Sequence, residues 1–374
     1  MRIVYLCTDR GITYGGTKGA AVHLEEIVSA LAGQGCEVLT LVAGLATAAT
    51  SPPPGVTVEV LPGPRKGADA GERLLFQDDL AAWLVRRLAR FRPAVLYERL
   101  ALHSAAGAAA ARRLSIPHLV EVNAPLPAEA VRYRELEDPA AAHRLERTVL
   151  AGADLVFPVS SPLAEYVKVR GARRVEILQN AVAAERFPPP KGNGARPVAV
   201  FVGSLRPWHG IEAIATAWRR LGAAAPRLIV VGEGPARTIL DGAGARLLGA
   251  IRHDRVPALL ARGDIGLAPY SVDAPRYFSP LKVFEYLAAG LATVVADLPG
   301  VTAVVDGDTA VLIPPGDAEA LADAVAELAA DPARRRRLGE NGRTLVWGHH
   351  TWNHRARRII ESATALARGT GVGT

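Results

Sequence analysis

The chain has 374 residues, of which 49% are hydrophobic, so it can bury a large core and is long enough for two or three domains. Its net charge of +7 is explained by solvated basic helix faces, with an anionic ligand or surface as the alternative. Aromatic residues make up only 5% and do not alternate with basic ones, which argues against single-stranded nucleic-acid binding. Two cysteines, with no CxxC motif and no histidine cluster at ligand spacing, argue against a disulfide framework and against a metal site. Without an apolar run of about 18 residues or a signal-peptide core, we expect a cytoplasmic protein that contacts the inner membrane face at most peripherally.

Strand-like apolar runs alternate with helical segments along the whole chain. In order, these runs are RIVYLCT, EVLTLVAG, AVLYER, PHLVEVN, DLVFPVS, VAVFVGS, RLIVVGEGP, IGLAPY, ATVVAD and AVLIPPG. Such alternation predicts parallel sheets with helices on both faces. Because ligands of open α/β sheets bind outside the carboxyl ends of the strands, we predict an α/β protein with two Rossmann-like domains that face each other across a cleft.

A stretch rich in proline and glycine, FPPPKGNGARP, separates the two halves and is followed at once by a strand. We predict an N-terminal domain over 1–187, a linker over 188–197, a C-terminal domain over 198–350 and, over 351–374, a helix that crosses back to the N-terminal domain. Residues 62–72, PGPRKGADAGE, are predicted to form a mobile loop.

The first strand leads into a glycine-rich turn, DRGITYGGTKGAAVHLEE. Backbone N–H groups at Gly15 and Gly16, ahead of a predicted helix, can approach a phosphate closely. The G-G-x-x-G spacing differs from the G-x-G-x-x-G dinucleotide fingerprint, and no acidic residue ends the next strand, so NAD is not expected. A turn needed only for tight packing of the helix is the alternative.

The first strand of the second half ends at Gly203 and leads into a basic loop, SLRPWHG. Arg206 and His209 lie between the end of this strand and the start of a helix, a position suited to contact with a diphosphate. A salt bridge within the loop would explain these residues equally well.

The stretch RYFSPLKVFEYLAAG places a lysine in the first turn of a predicted helix. Ser279 suits the N-cap and Pro280 the first helical position. Lys282 then opposes the helix dipole at a cost of roughly 0.3 to 1 kcal/mol, which a bound anion would offset. Glu285 follows at i+3 on the same face, so a simple ion pair between these two side chains is the alternative.

One further polar residue, Asn123, closes the strand PHLVEVN. Its amide can both donate and accept hydrogen bonds, as the hydroxyl groups of a sugar require.

The motifs, and their order along the chain, resemble those of the GT-B glycosyltransferases of family GT4. This family is a retaining, metal-independent group that uses nucleotide sugars. The resemblance extends over nearly the whole chain through HLEEIVSALAGQGCEV, SSPLAEYVKVRGARRVEILQNAV, FVGSLRPWHG, VGEGP, FSPLKVFEYLAAG, DGDTAVLIPPGD and the tail residue Trp352. The GSxxPWHG and FSPLKxFEY forms are similar to one subgroup of that family.

The resemblance implies roles for individual residues. Glu285 matches the second glutamate of the family's E-x7-E motif, which binds the ribose, whereas the first glutamate position is Tyr277. Ser204 and His209 stand where the family has the arginine and lysine of a G-R-x4-K-G loop. Asn123 stands where the family has a histidine, and we expect it to act in catalysis by binding a sugar hydroxyl.

The missing cations are expected to be replaced by Arg206 and Lys282, which would neutralise the leaving diphosphate during catalysis. The remaining predicted donor contacts are Gly15, Gly16, Gly203, Ser204, His209, Tyr277, the main chain near Ile251 for the base, and the main chain over Ser279, Pro280 and Leu281 for the sugar and phosphates.

The implied reaction moves a sugar, with retention, from a nucleotide diphosphate sugar, UDP-sugar being favoured, to a hydroxyl of a small-molecule, glycan or lipid-linked acceptor, without a metal or other cofactor. A catalytically degenerate relative that binds a nucleotide sugar or a protein partner as a regulator is the alternative. An epimerase of the same fold would need acid pairs that the sequence lacks, and the two-carboxylate pattern of glycoside hydrolysis is not evident.

Overall fold

The computed structural model describes residues 1–47, 51–64, 70–133, 136–190 and 196–369. The chain divides into two compact units. Unit 1 comprises Met1–Gln179 and the segment that begins at Trp352, and unit 2 comprises Asn180–Thr351. The predicted helical tail therefore belongs to unit 1.

Unit 2 begins earlier than the predicted domain boundary at residue 187. The reason is packing, because Val182, Ala184 and Phe187 are buried in the hydrophobic core of unit 2. Residues 191–195 of the predicted linker lie outside the described residues.

Unit 1 contains a six-stranded parallel sheet in the order β3-β2-β1-β4-β5-β6. The strands are β1 (Arg2–Cys7), β2 (Glu37–Val42), β3 (Val56–Val60), β4 (Val95–Arg99), β5 (His118–Val122) and β6 (Leu155–Pro158). The helices are α1 (Gly19–Gly33), α2 (Ala70–Phe91), α3 (Ala106–Leu114), α4 (Leu126–Tyr133), α5 (Pro139–Gly152), α6 (Ser161–Lys168) and the last helix of the chain, α13 (Trp352–Gly369), which packs against α1. Helix α2 begins inside the predicted loop at 62–72, of which residues 65–69 lie outside the described residues.

Unit 2 contains a second six-stranded parallel sheet, in the order β12-β11-β10-β7-β8-β9. The strands are β7 (Val198–Val202), β8 (Arg227–Val231), β9 (Arg246–Leu247), β10 (Ile265–Ala268), β11 (Ala292–Ala296) and β12 (Ala310–Ile313). The helices are α7 (Ile211–Leu221), α8 (Val256–Leu260), α9 (Leu281–Ala288), α10 (Pro299–Thr302), α11 (Ala318–Ala330) and α12 (Pro332–His349). Short 3-10 helices at Pro207–His209 and His253–Arg255 lie in the connections that follow β7 and β9.

If the six strands of each unit are numbered in chain order, both sheets have the strand order 3-2-1-4-5-6. All strand pairings in the two sheets are parallel. The central strands β1, β4, β7 and β10 are almost entirely buried, as their continuous apolar runs predict. The prediction of an α/β protein with two Rossmann-like domains is confirmed. In each sheet the strand order reverses at the centre, between β1 and β4 and between β7 and β10, which is where this architecture binds ligands.

None of the helices among the described residues combines the length and the apolar character needed to cross a bilayer.

Candidate functional site

The predicted lysine lies at the centre of unit 2, where the strand order of its sheet reverses. Gly203 follows β7, Tyr270 lies shortly after β10, and Lys282 is the second residue of α9. A Cβ atom added to Gly203 would lie 2.6 Å from Lys282 Nζ, and Gly203 has a φ of +145°. Glycine at this position therefore leaves room for the ammonium group beside the end of β7.

Lys282 has a buried ammonium group. The residue as a whole is half-buried, but its Nζ atom is inaccessible to solvent and has no hydrogen-bond partner within the described residues. Nζ lies 4.1 Å from the centre of the Phe201 ring and 5.3 Å from that of Tyr270, distances at which both rings make cation–π contacts with it. Buried ammonium groups are ordinarily paired, and this one is available to an anion.

Burial lowers the pKa of Lys282 to about 7, and the negative charge of Glu285 opposes this shift. With this pKa, a substantial fraction of the Lys282 side chain is neutral at physiological pH. The sequence left open a simple ion pair between Lys282 and Glu285. Among the described residues these two side chains do not form one.

Glu285 is instead bound by His253. His253 Nε2 lies 2.7 Å from Glu285 Oε1, and the two side chains are 28% and 9% exposed. His253 opens the short helix His253–Arg255, two residues after Ile251, which is half-buried against the core of unit 2. The loop predicted to contact the base is thus tied to the carboxylate predicted to contact the ribose.

His209 flanks the same two aromatic rings as Lys282. Its ring centroid lies 6.3 Å from that of Phe201 and 5.7 Å from that of Tyr270, and its Nδ1 makes a short contact with the main-chain oxygen of Ser204. Burial, followed by the charge of Lys282, lowers the pKa of His209 to about 3. His209 is therefore neutral near pH 7, and because Ser204 O can only accept, Nδ1 carries the proton and Nε2 is left as an acceptor.

Arg206 lies at the edge of this group. It is exposed, and its guanidinium carbon lies 5.6 Å from the centre of the Trp208 ring. Its charge contributes to the lowered pKa of His209. The structure thus places one buried and one exposed cation beside the loop that follows β7.

The predicted start of α9 needs a correction. The N-cap is Pro280, without a side-chain cap, and the first helical residue is Leu281. Ser279 does not cap the helix because its Oγ accepts the main-chain N–H of Asn180 at 3.2 Å. The main-chain oxygen of Ser279 accepts the side-chain amide of Asn180 at 2.5 Å, so Ser279 anchors the loop to the first residue of unit 2. Tyr277, in the same loop, is half-buried.

The glycine turn of unit 1 is occupied by internal hydrogen bonds. Gly15 N donates to Glu25 Oε1 at 2.7 Å, and Gly16 N donates to Thr13 O at 3.1 Å. Gly15 has a φ of +79°, which explains why glycine stands there. A phosphate at this turn would have to displace the Glu25 carboxylate. The two glycines lie in unit 1, whereas Lys282 and the residues around it lie in unit 2.

A buried carboxylate, Glu121, organises the carboxyl edge of the unit 1 sheet. Five side chains donate to its oxygens: those of Tyr5 (3.1 Å), His23 (2.9 Å), Tyr97 (2.6 Å), Arg99 (2.9 Å) and Asn123 (3.2 Å). Burial alone would raise the pKa of Glu121, but His23 and Arg99 hold it well below its usual range. Because an ionised carboxylate only accepts, the Asn123 amide nitrogen faces Glu121 and its Oδ1 is left for another group.

Sequence reasoning missed His253, Tyr270 and Glu121 as site residues. Glu121 could have been found from its position, since a charged residue inside a buried strand requires partners. No sequence pattern marks His253, because its contact with Glu285 joins residues 32 positions apart. Among the described residues, no group of three or more His, Cys, Asp or Glu side chains is arranged to hold a metal ion.

Two family models match the chain, one for each half. Residues 18–183 match the "Glycosyl transferase 4-like domain", and residues 196–331 match "Glycosyl transferases group 1".

Curated relatives are similar at low identity. The chain is 26% identical to the alpha-maltose-1-phosphate synthase of Mycobacterium tuberculosis, over 92% of this chain and 94% of that protein. It is 27% identical to the D-inositol 3-phosphate glycosyltransferase of Nocardia farcinica, over 94% and 85%. Other alignments are shorter than two-thirds of the relative, such as that with the alpha-D-kanosaminyltransferase of Streptomyces kanamyceticus, at 28% identity over 46% of this chain and 44% of that protein.

Solved glycosyltransferase structures share the fold. Sucrose-phosphate synthase from Thermosynechococcus elongatus aligns with a TM-score of 0.77 at 18% identity, over 98% of this chain and 99% of that one. Anabaena HepE in complex with UDP aligns with a TM-score of 0.71 at 16% identity, over 98% and 100%. With both domain types matched in this order on two parallel six-stranded sheets, the chain belongs to the GT-B glycosyltransferases with a GT4-like N-terminal domain.

Proposed function

We propose that the chain transfers a glycosyl group from a nucleoside diphosphate sugar to an acceptor hydroxyl, with retention at the anomeric carbon and without a metal. The observation that supports this most directly is the buried Lys282 ammonium, which has no hydrogen-bond partner in the described residues and lies beside Gly203 where the strand order reverses. A diphosphate supplies the acceptor oxygens and the negative charge that this ammonium lacks.

The chemistry follows from charge development. As the bond between the sugar and the diphosphate breaks, negative charge grows on the leaving phosphate, and a cation fixed in a poorly solvated site stabilises that charge strongly. Lys282 serves this role, and Arg206 adds a second, exposed cation at the edge of the site. Glu285, with one oxygen held by His253, offers its other oxygen to a ribose hydroxyl.

UDP is the proposed leaving group, since a protein of the same fold has been solved in complexes with UDP and with UDP-glucose. We propose an acceptor that presents a sugar-like hydroxyl to Asn123, whose Oδ1 is left free by the contact of its amide nitrogen with Glu121.

The test is a thermal-shift panel of UDP, GDP, ADP and TDP, each with and without magnesium. A ligand at 100 times its Kd should add about 2.7 kcal/mol to the free energy of unfolding. We expect one nucleotide, UDP, to raise the melting temperature equally with and without magnesium. No shift with any nucleotide would contradict the donor site and would favour the degenerate, partner-binding alternative.

Substitution of Asn123 tests the role of unit 1. Asn123→Ala should lower kcat about 10- to 100-fold, the loss expected for one hydrogen bond to a reacting sugar, and leave the Kd of the nucleotide unchanged. The measurements are initial rates of nucleotide release from the nucleotide sugar, and calorimetric titration with the nucleotide. Asn353→Ala, which removes an exposed asparagine of the same unit, is the matched control. Equal losses in turnover and nucleotide binding would show that Asn123 is only structural.

A further inference from the structure

We propose that His253 is a positioning residue that makes the donor site select ribonucleoside over deoxyribonucleoside diphosphates. It does so by holding the Glu285 carboxylate away from the Lys282 ammonium, so that each charge meets a different part of the nucleotide. The inference rests on the proposed function, because it assigns Lys282 to the diphosphate and Glu285 to the ribose.

The first step is the hydrogen bond itself. His253 Nε2 lies 2.7 Å from Glu285 Oε1. Because an ionised carboxylate only accepts hydrogen bonds, Nε2 must carry the proton. The Glu285 side chain makes no other hydrogen bond within the residues that the structure describes, so Oε2 remains an acceptor for a hydroxyl group.

The second step is the competing partner. Lys282 and Glu285 are three residues apart on α9, a spacing at which oppositely charged side chains ordinarily pair. The charge of Glu285 acts on the ammonium, yet the ammonium has no hydrogen-bond partner in the described residues. The contact with His253 accounts for this, since it draws the carboxylate toward the loop that carries Ile251.

The third step is selectivity. If Glu285 paired with Lys282, the pair would neutralise the cation needed by the diphosphate and occupy the acceptor needed by the ribose. With His253 in place, a nucleotide that lacks the recognised hydroxyl leaves a largely buried carboxylate oxygen unsatisfied. The expected penalty is about 10- to 100-fold in Kd, as for a hydrogen bond to a charged group.

The experiment compares calorimetric Kd values of UDP, 2′-deoxy-UDP and 3′-deoxy-UDP. The proteins are wild type, His253→Ala, His253→Gln and Asp254→Ala. Glutamine keeps an N–H donor near the position of Nε2. Asp254→Ala is the matched control because it removes an exposed ion pair with Arg252 (3.1 Å) from the same short helix without touching Glu285.

For wild type and Asp254→Ala we expect at least one deoxy analogue to bind about 10- to 100-fold more weakly than UDP. His253→Ala should bind UDP more weakly, and its Kd values for UDP and for the deoxy analogue should differ by no more than about threefold. His253→Gln should restore most of the preference for UDP. If His253→Ala weakens all three nucleotides by the same factor, the positioning role is wrong although the donor site stands. If wild type binds UDP and both analogues equally well, the ribose contact is wrong, and if it binds no nucleoside diphosphate, the proposed function fails as well.

Discussion

Replacing Lys282 with alanine is expected to lower turnover of the nucleotide sugar about 100-fold, the usual loss when one preorganised group that stabilises developing charge is removed. The ammonium lies 4.1 Å from the Phe201 ring centre and has no hydrogen-bond acceptor among the described residues, so its removal leaves no buried acceptor unsatisfied. The measurement is the initial rate of nucleotide release at saturating donor. Lys168→Ala, at an exposed lysine paired with Glu165 at 2.7 Å, is the control.

Replacing Lys282 with an apolar residue should not lower the stability of the protein, although it abolishes the function of the side chain. A buried amine without a partner is destabilising, and an apolar side chain of similar length removes that cost. Lys282→Met should therefore unfold at the same temperature as wild type or a higher one, while losing nucleotide binding. Unchanged turnover in Lys282→Ala, or a marked drop in melting temperature in Lys282→Met, would show that the lysine supports the fold rather than the reaction.

The central strands could be predicted from sequence because they are long, continuous apolar runs, and all of the predicted strands are present. The two strands that sequence reasoning did not single out, β3 and β9, lie at sheet edges. Residues of β3 are mostly half-exposed or exposed, and β9 has only two residues, so neither carries the hydrophobic signal of a buried strand.

The candidate site could be predicted only where local rules apply. The misfit between Lys282 and the helix dipole could be seen in the sequence because the dipole acts within one turn, and the structure shows that this ammonium is buried without a hydrogen-bond partner among the described residues. The N-cap prediction at Ser279 was wrong because its hydroxyl is taken by Asn180, 99 residues earlier in the chain. The partner of Glu285 is equally remote in sequence, and only the fold brings His253 to it.

Nucleotide binding is expected to weaken as the pH rises from 7 to 9. Before the nucleotide binds, burial lowers the pKa of Lys282 to about 7, against the charge of Glu285. A bound diphosphate favours the ammonium and raises that pKa, so binding takes up a proton above pH 7. Because about half of the side chain is already neutral at pH 7, the Kd should increase about 50-fold from pH 7 to pH 9, with a slope that approaches tenfold per pH unit. The other titratable groups around the ammonium are His209 and Tyr270, and both stay neutral here because burial lowers the pKa of the first to about 3 and raises that of the second.

Without nucleotide, the stability of the protein should increase, not decrease, as the pH rises. An unfolded lysine has a pKa of about 10.4, so between pH 7 and pH 10 the unfolded chain binds more protons at Lys282 than the folded protein does. The contribution of Lys282 to the free energy of unfolding therefore rises with pH in this window. Calorimetric titration and thermal melts, each at pH 7, 8 and 9, measure the two trends. Lys282→Arg, which stays charged, should give a nearly pH-independent Kd, and Lys282→Met should lose the rise in stability. A wild-type Kd that is flat from pH 7 to 9 would mean that the ammonium is already fully charged before the nucleotide binds, and that binding takes up no proton.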